Sequence, residues 1–316
     1  MDRITAAVIG VGYLGRFHAQ KYAALPEAQL VAVADSDPEV AARVARELGV
    51  RAVPDYRELL GAVQAVSVVT PTPAHAPIAA AFLETGAHVL VEKPITTTAA
   101  EAEMLIRTAV ARGRVLQVGH LERFNPVVLG AERYLKRPRF VECHRLAPFR
   151  ERGTDVNVVL DLMIHDIDLL QSIVGSEIVS LDAVGTAVFS RETDIANARI
   201  RFANGCVANA TASRVSLKTE RKFRIFQDDA YLSLDLQQKI LTVIRKRDAT
   251  PGDAQLPVSI AEESFEQGDA LRAEIEAFLK AVRGVGPVAV SGEDGLRALR
   301  TAIAISEALG AGSGGG

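Results

Sequence analysis

The feature that most constrains this chain stands at its start. Gly10-Val11-Gly12-Tyr13-Leu14-Gly15 forms a GxGxxG pattern. Residues 4–9 before it read as an apolar strand, and 13–25 after it read as a helix. A glycine-rich turn leading from strand to helix has a specific physical use. Gly10 permits the tight turn, Gly12 lets a pyrophosphate approach the backbone, and Gly15 lets the helix pack close to the strand. The helix start offers unpaired N–H groups and a partial positive charge to phosphates. Asp35 ends the next strand-like run, 20 residues after Gly15. A carboxylate there accepts hydrogen bonds from an adenosine ribose and repels a 2′-phosphate, so the expected cofactor is NAD in preference to NADP. The neighbouring Ser36 and Asp37 bring no cation to that turn.

The rhythm around this turn extends to about residue 120. Strand-like runs at 30–34, 65–69, 88–91 and 115–118 alternate with helical stretches at 38–48, 74–85 and 98–112. Short apolar strands separated by helices predict a parallel sheet covered on both faces. Beyond residue 120 the pattern changes. A long apolar helix at 156–174 precedes six strand-like runs, at 178–188, 196–203, 206–212, 222–227, 230–235 and 239–245. Strands in succession joined by turns such as Asn204-Gly205 predict antiparallel pairing. Helices follow at 265–282 and 295–309. The expected fold class is α/β: a doubly wound N-terminal domain over 1–120, then an α+β domain over 121–310 with a large, mostly antiparallel sheet. A flexible tail is expected over 311–316.

Composition removes several alternatives. The chain has 316 residues, with 36 basic and 39 acidic side chains and a net charge of −3. That balance gives no electrostatic footprint for nucleic acid. With 48% hydrophobic and 24% charged residues, the chain has the makeup of a globular protein. No apolar run reaches about 18 residues, so no membrane span is expected. The N-terminus lacks a signal-peptide pattern. Two cysteines, Cys143 and Cys206, have no metal-type spacing. They read as small buried residues of a cytoplasmic protein.

Two segments carry candidate chemistry. Glu92-Lys93-Pro94 closes the strand at 88–91. Carboxyl ends of parallel strands line the ligand crevice in such sheets. Lys93 is therefore either a site residue or an ordinary surface lysine at a strand end. The apolar helix contains Asp161, His165, Asp166 and Asp168. At 3.6 residues per turn, Asp161, His165 and Asp168 fall at roughly 0°, 40° and −20°, with Asp166 on another side. Burying an unpaired carboxylate is costly, so this stripe must face partners, water or a ligand. Asp161 is within one turn of His165 and able to orient its ring. Three readings stand: a structural hydrogen-bond network, a metal site, and a general acid–base histidine. Oxidising an alcohol needs a base for the hydroxyl proton and a cation for the developing alkoxide, the types that His165 and Lys93 supply.

Taken together, these motifs resemble those of the Gfo/Idh/MocA oxidoreductases. The resemblance covers nearly the whole chain. It rests on the glycine turn, Thr70-Pro71-Thr72-Pro73-Ala74-His75, Glu92-Lys93-Pro94 and Arg123-Phe124-Asn125-Pro126, then on Asp161 with His165-Asp166-Ile167-Asp168, and on Ser291-Gly292-Glu293-Asp294-Gly295. The chain departs from the common pattern at Thr72, where the family usually has Asn. The resemblance implies a Rossmann domain followed by a sheet domain that forms the substrate pocket and often a homodimer or homotetramer interface. It implies Lys93, Asp161 and His165 as the catalytic set, with no metal. It implies NAD contacts from Gly10, Val11, Gly12, Tyr13, Leu14, Gly15, Asp35, Thr70, Pro71, His75, Glu92 and Lys93.

Within the family, the stretches 119–126, 144–146 and 162–165 look most like the branch that oxidises the 3-hydroxyl of UDP-N-acetylglucosamine on the way to a lipid A amino sugar. Arg123, Arg145, Arg150 and Arg152 cluster in sequence and are candidate partners for a diphosphate, unless they are simply solvated. The substrate-binding set implied is Lys93, Arg123, Arg150, Asn157 and His165. The alternatives are a free sugar, inositol or dihydrodiol as substrate, or a non-catalytic NAD-binding regulator.

Overall fold

The computed structural model describes residues 2–150, 156–247 and 258–312. The chain divides into two compact units, the first comprising 1–121 with Asp269–Leu299 and the second Glu122–Gly268 with 300–316.

The first unit runs β1 (Ile4–Ile9), α1 (Tyr13–Ala24), β2 (Ala28–Ala34), α2 (Pro38–Leu48), β3 (Arg51–Val53), β4 (Ala65–Val68), α3 (His75–Glu84), β5 (His88–Glu92), α4 (Ala99–Arg112) and β6 (Leu116–Gly119). Its six strands pair in the order β3-β2-β1-β4-β5-β6, all parallel. The reversal of strand order between β1 and β4 makes the switch point where such sheets take ligands. The local sequence sets the helix ends. Asp37 caps α2 by accepting from the Glu39 and Val40 N–H groups, with Pro38 at the first helical position. Thr98 and Glu101 form a reciprocal capping box at the start of α4.

The helix α7 (Ala270–Val282) also belongs to the first unit. Its Ile275, Phe278 and Leu279 are buried in one core with Val8, Tyr22, Leu25 and Leu90. The expected boundary kept all closing helices with the sheet domain, whereas the apolar face of α7 is buried against α1 and the parallel sheet. α7 is also shorter than the predicted 265–282, because Asp269 caps it by accepting from the Arg272 N–H. The last helix, α8 (Gly292–Gly312), passes from the first unit into the second. It reaches into the predicted tail, of which 313–316 lie outside the described residues.

The second unit contains α5 (Pro126–Ala131), β7 (Pro138–Leu146), α6 (Ile164–Val174), β8 (Ile178–Thr186), β9 (Ile195–Phe202), β10 (Val207–Ser213), β11 (Glu220–Gln227), β12 (Ala230–Asp235), β13 (Ile240–Lys246) and β14 (Val258–Ser264). They form an eight-stranded sheet ordered β14-β13-β12-β11-β7-β10-β9-β8. Every pairing is antiparallel except β7 with β10. The strands β7 and β14 were not among the six predicted. α6 packs on β7 and β10. The cysteines are buried and free, and burial pushes the Cys206 thiol up to about 11. Among the described residues, no helix is long and apolar enough to cross a membrane.

Candidate active site

In the first unit the glycine turn has the geometry its pattern requires. Gly10 sits at φ 81°, and a Cβ there would meet the Val69 carbonyl oxygen at 2.8 Å. A Cβ on Gly15 would come within 1.8 Å of the Gly10 carbonyl oxygen, so only glycine lets α1 start this close to the turn. A Cβ on Gly12, by contrast, would enter open space. Gly12 is the N-cap of α1 and carries no capping side chain, and the first turn holds no acidic residue. The start of α1 thus presents backbone N–H groups to open space, a fit for pyrophosphate. Tyr13 and Leu14 are exposed beside it.

Asp35 follows β2. Its Oδ2 accepts from the Val11 N–H at 2.8 Å and its Oδ1 from the Asp37 N–H at 3.0 Å. Those bonds hold a carboxylate against the glycine turn. His75 is buried, with Nδ1 2.9 Å from the Pro94 carbonyl oxygen and Nε2 2.8 Å from that of Thr70. It ties the segment after β4 to the segment after β5, so its effect on a cofactor runs through those loops. The Thr70 Oγ1 is buried without a partner, and Pro71 caps the short turn Thr72–Ala74.

Glu92 ends β5 beside Lys93, and the Lys93–Pro94 peptide bond is cis. Glu92 Oε2 accepts from the Lys93 N–H at 3.2 Å, and its Oε1 lies 3.1 Å from His18 Nε2. Burial pushes the Glu92 carboxyl up, but the His18 hydrogen bond and the His18 and Lys93 charges outweigh that and hold it below the usual range. A Cβ on Gly119 would sit 2.9 Å from this carboxylate, so glycine in β6 makes room for it.

In the second unit the predicted helix is two structures in series. Val159–Met163 is a π turn, and α6 begins after it. Asp161 lies in the π turn and His165 in the first turn of α6, both half-buried. A regular wheel over 161–168 therefore does not hold, because the π turn takes more residues per revolution. Asp168 leaves the predicted stripe: it is buried and paired in bidentate fashion with Arg123, at 2.6 Å to Nε and 2.8 Å to Nη2. Asp166 is buried against Arg145, whose Nε and Nη2 donate to its Oδ1 at 3.0 and 2.7 Å. Arg145 Nη1 also donates to Glu122 at 3.0 Å. Burial alone would ease the proton off Arg145, but the Asp166 and Glu122 charges more than reverse this.

The two family-model matches divide the chain near residue 120, and the second spans α7 as well as the sheet of the second unit. Residues 4–120 match the oxidoreductase family domain described as an NAD-binding Rossmann fold, and residues 135–313 match that family's C-terminal alpha/beta domain. This chain belongs to the Gfo/Idh/MocA oxidoreductase family. It is 42% identical over 98% of both chains to UDP-N-acetylglucosamine 3-dehydrogenase of Acidithiobacillus ferrooxidans. A solved structure of that enzyme superposes with a TM-score of 0.91, covering 98% of this chain and 99% of the other at 41% identity. Scyllo-inositol 2-dehydrogenase (NAD(+)) of Bacillus subtilis is 30% identical over 68% of both chains.

Several of the expected substrate contacts are engaged within the chain. Arg123 is paired with the buried Asp168, and Arg145 with Asp166 and Glu122. Arg150 is exposed, and Arg152 lies outside the described residues. Asn157 is engaged within the chain: its Oδ1 accepts from the Leu160 N–H and its Nδ2 donates to Ser306 Oγ. It caps the π turn. Among the described residues, His165 and its aspartates do not form a metal-type cluster. The sequence reading missed His18 and the Arg145–Glu122 pair. The only signal was that buried acids demand cations, which the sequence does not locate.

Proposed function

We propose that this oxidoreductase is an NAD-dependent dehydrogenase that oxidises the 3-hydroxyl of UDP-N-acetylglucosamine. The observation that carries this reading is 42% identity to an enzyme of that name, sustained over 98% of both chains. The inositol dehydrogenase of B. subtilis shares less over a shorter span.

The first unit supports a dinucleotide. The open side of Gly12 and the start of α1 take the pyrophosphate, and Asp35 takes ribose hydroxyls while disfavouring a 2′-phosphate. Bound NAD would supply the hydride acceptor for the carbinol carbon. Lys93 donates to the substrate hydroxyl and stabilises the developing alkoxide. His165 takes the hydroxyl proton, with Asp161 orienting the ring. Arg150 is the exposed cation assigned to the diphosphate. A cytoplasmic protein serving amino-sugar synthesis of the kind that feeds lipid A fits this reading. Exposed Val179 and Val184 on β8 and Ile260 on β14 suit a homo-oligomer built through the sheet.

The test has two arms. Lys93→Met is expected to keep NAD affinity and lose roughly 10²–10⁴-fold in turnover. Unchanged turnover would remove this mechanism. Wild-type protein offered UDP-sugars, free sugars, inositol and a dihydrodiol with NAD should reduce NAD fastest with UDP-N-acetylglucosamine. Faster turnover of inositol or a free sugar would move the substrate to the second reading, which the B. subtilis relative supports. Tight NAD binding with no turnover on any of them would favour a regulator.

A further inference from the structure

The first unit buries a second group of ionisable side chains, behind Lys93, which the mechanism does not use. Glu274 on α7 is fully buried, and neither of its carboxyl oxygens has a hydrogen-bond partner. One atom each of Glu274, Glu92 and His18 lie within 4.8 Å of one another. The His18 ring is buried as well, with Nε2 on Glu92 and Nδ1 unpartnered. Gln117 on β6 fixes the α7 backbone by donating to the Glu274 carbonyl oxygen at 3.2 Å.

The surroundings of Glu274 decide its charge. From α1 it faces His18 and Tyr22, whose hydroxyl is engaged with Ser67 of β4 at 3.0 Å. From β5 it faces Glu92, and beyond that Lys93. Lys21 pairs with Asp269 at 2.6 Å at the half-exposed start of α7. The donors in this group already serve Glu92: the His18 ring, the Lys93 N–H and the Lys93 charge. Two carboxyl groups this close cannot both be ionised without a cation of their own, so the proton goes to the member with fewer donors. Burial, then the Glu92 charge, push the Glu274 carboxyl well above the usual range, while Glu92 is held low.

We infer that Glu274 stands as a neutral, proton-bearing carboxylic acid facing the Glu92 carboxylate, and that it is a positioning residue for the Glu92–Lys93 pair. A gap of up to 4.8 Å is one that a single water bridges with two ordinary hydrogen bonds. By holding the proton, Glu274 leaves the negative charge on Glu92, where His18 and Lys93 need it. The consequence for turnover rests on the role proposed for Lys93, whereas the protonation state of Glu274 does not.

Infrared spectroscopy of the full-length protein at neutral pH tests the first part. A carbonyl band of a protonated carboxylic acid is expected in wild type and absent in Glu274→Gln. If no such band is lost, the inference is overturned. It is equally overturned if purified wild type binds one zinc or manganese ion that Glu274→Gln fails to bind, because a cation would then hold the two carboxylates. The pH profile of turnover tests the second part. In Glu274→Leu, Glu92 loses its facing donor and takes up a proton more readily, so the acid limb should move up by about one pH unit. Glu274→Gln, which still donates, should restore the wild-type limb. An unmoved limb in Glu274→Leu would overturn the positioning role. Should Glu274→Leu fail to fold, a Glu274→Gln limb shifted from wild type overturns that role, and an unshifted one supports it. Should Lys93→Met prove active, the infrared band still decides the state of Glu274.

Discussion

Among the described residues, the three buried aspartates of the second unit each have an arginine against them: Asp166 meets Arg145, Asp168 meets Arg123 and Asp194 meets Arg214. Glu274 in the first unit is buried as deeply, yet its neighbours are another acid, a histidine and a phenol. A buried carboxylate with an arginine against it keeps its charge and a fixed direction. A buried carboxyl without one gives up its charge and keeps a proton. The two solutions suit two tasks. Around α6 the ion pairs hold the direction of the helix that carries His165. Behind Lys93 the neutral acid lets one negative charge sit where the cation needs it.

The largest way to break this contrast is to remove a cation from the second unit. Arg145→Met leaves Asp166 and Glu122 buried without their shared partner, and should cost roughly 3–5 kcal/mol. The chain has no tryptophan to report on unfolding, so amide hydrogen exchange on α6 and β7 is the direct measurement. Exchange unchanged from wild type would mean that the network contributes little. Replacing Arg145, Asp166 and Glu122 together by apolar residues should recover much of the loss, as a buried pair contributes little beyond an apolar equivalent.

Next comes Asp194. Its Oδ2 accepts from the backbone N–H groups of Val188, Phe189 and Ser190 at 2.6 to 2.9 Å, and its Oδ1 accepts from Arg214 Nε at 2.7 Å. Burial raises this carboxyl, but the backbone and Arg214 hydrogen bonds hold it far below the usual carboxylate range. Such a group contributes stability that is present above the ordinary carboxyl pKa and lost as pH falls through the depressed one. Asp194→Asn should therefore cost roughly 2–4 kcal/mol at neutral pH, with the deficit shrinking in acid. Urea midpoints for the second unit at neutral and acidic pH measure both; a deficit independent of pH would contradict the assignment.

The same contrast explains what the sequence discloses. The glycine turn and Asp35 are legible because their chemistry is local: strand, turn and helix start follow within 15 residues. The position of Lys93, just past the end of β5, is legible because the strand pattern stops there. β7 is not, although it is a central strand of the second sheet. Its sequence, PRFVECHRL, alternates correctly, but the inward set of Val141, Cys143 and Arg145 includes a charge that patterning assigns to the surface. Arg145 is acceptable inside because of Asp166, 21 residues away, and Glu122, 23 residues away. The π turn at Val159–Met163 is equally hidden, since a wheel assumes regular winding. Where α7 packs is also not encoded locally. Its apolar face fits any sheet, and only the fold shows that Glu274 lands behind Lys93.

The last effect concerns the first unit, and its sign differs from that of Asp194. Folded Glu274 keeps a proton that the unfolded chain releases above about pH 4.3. Its contribution to stability is full below that value and declines as pH rises toward the raised folded value. Glu92 is held low, so above about pH 5 it is ionised in both states and adds no slope. One proton bound only in the folded state makes stability fall by about 1.4 kcal/mol per pH unit. Glu274→Gln binds no such proton. Relative to wild type it should therefore gain stability steadily from about pH 5 upward, by at most that slope, while Asp194→Asn recovers only toward acid. Hydrogen exchange on α7 and β5 across neutral pH reads this out. If the two curves stay parallel, Glu274 is ionised in the folded protein, and the two units handle buried acids alike.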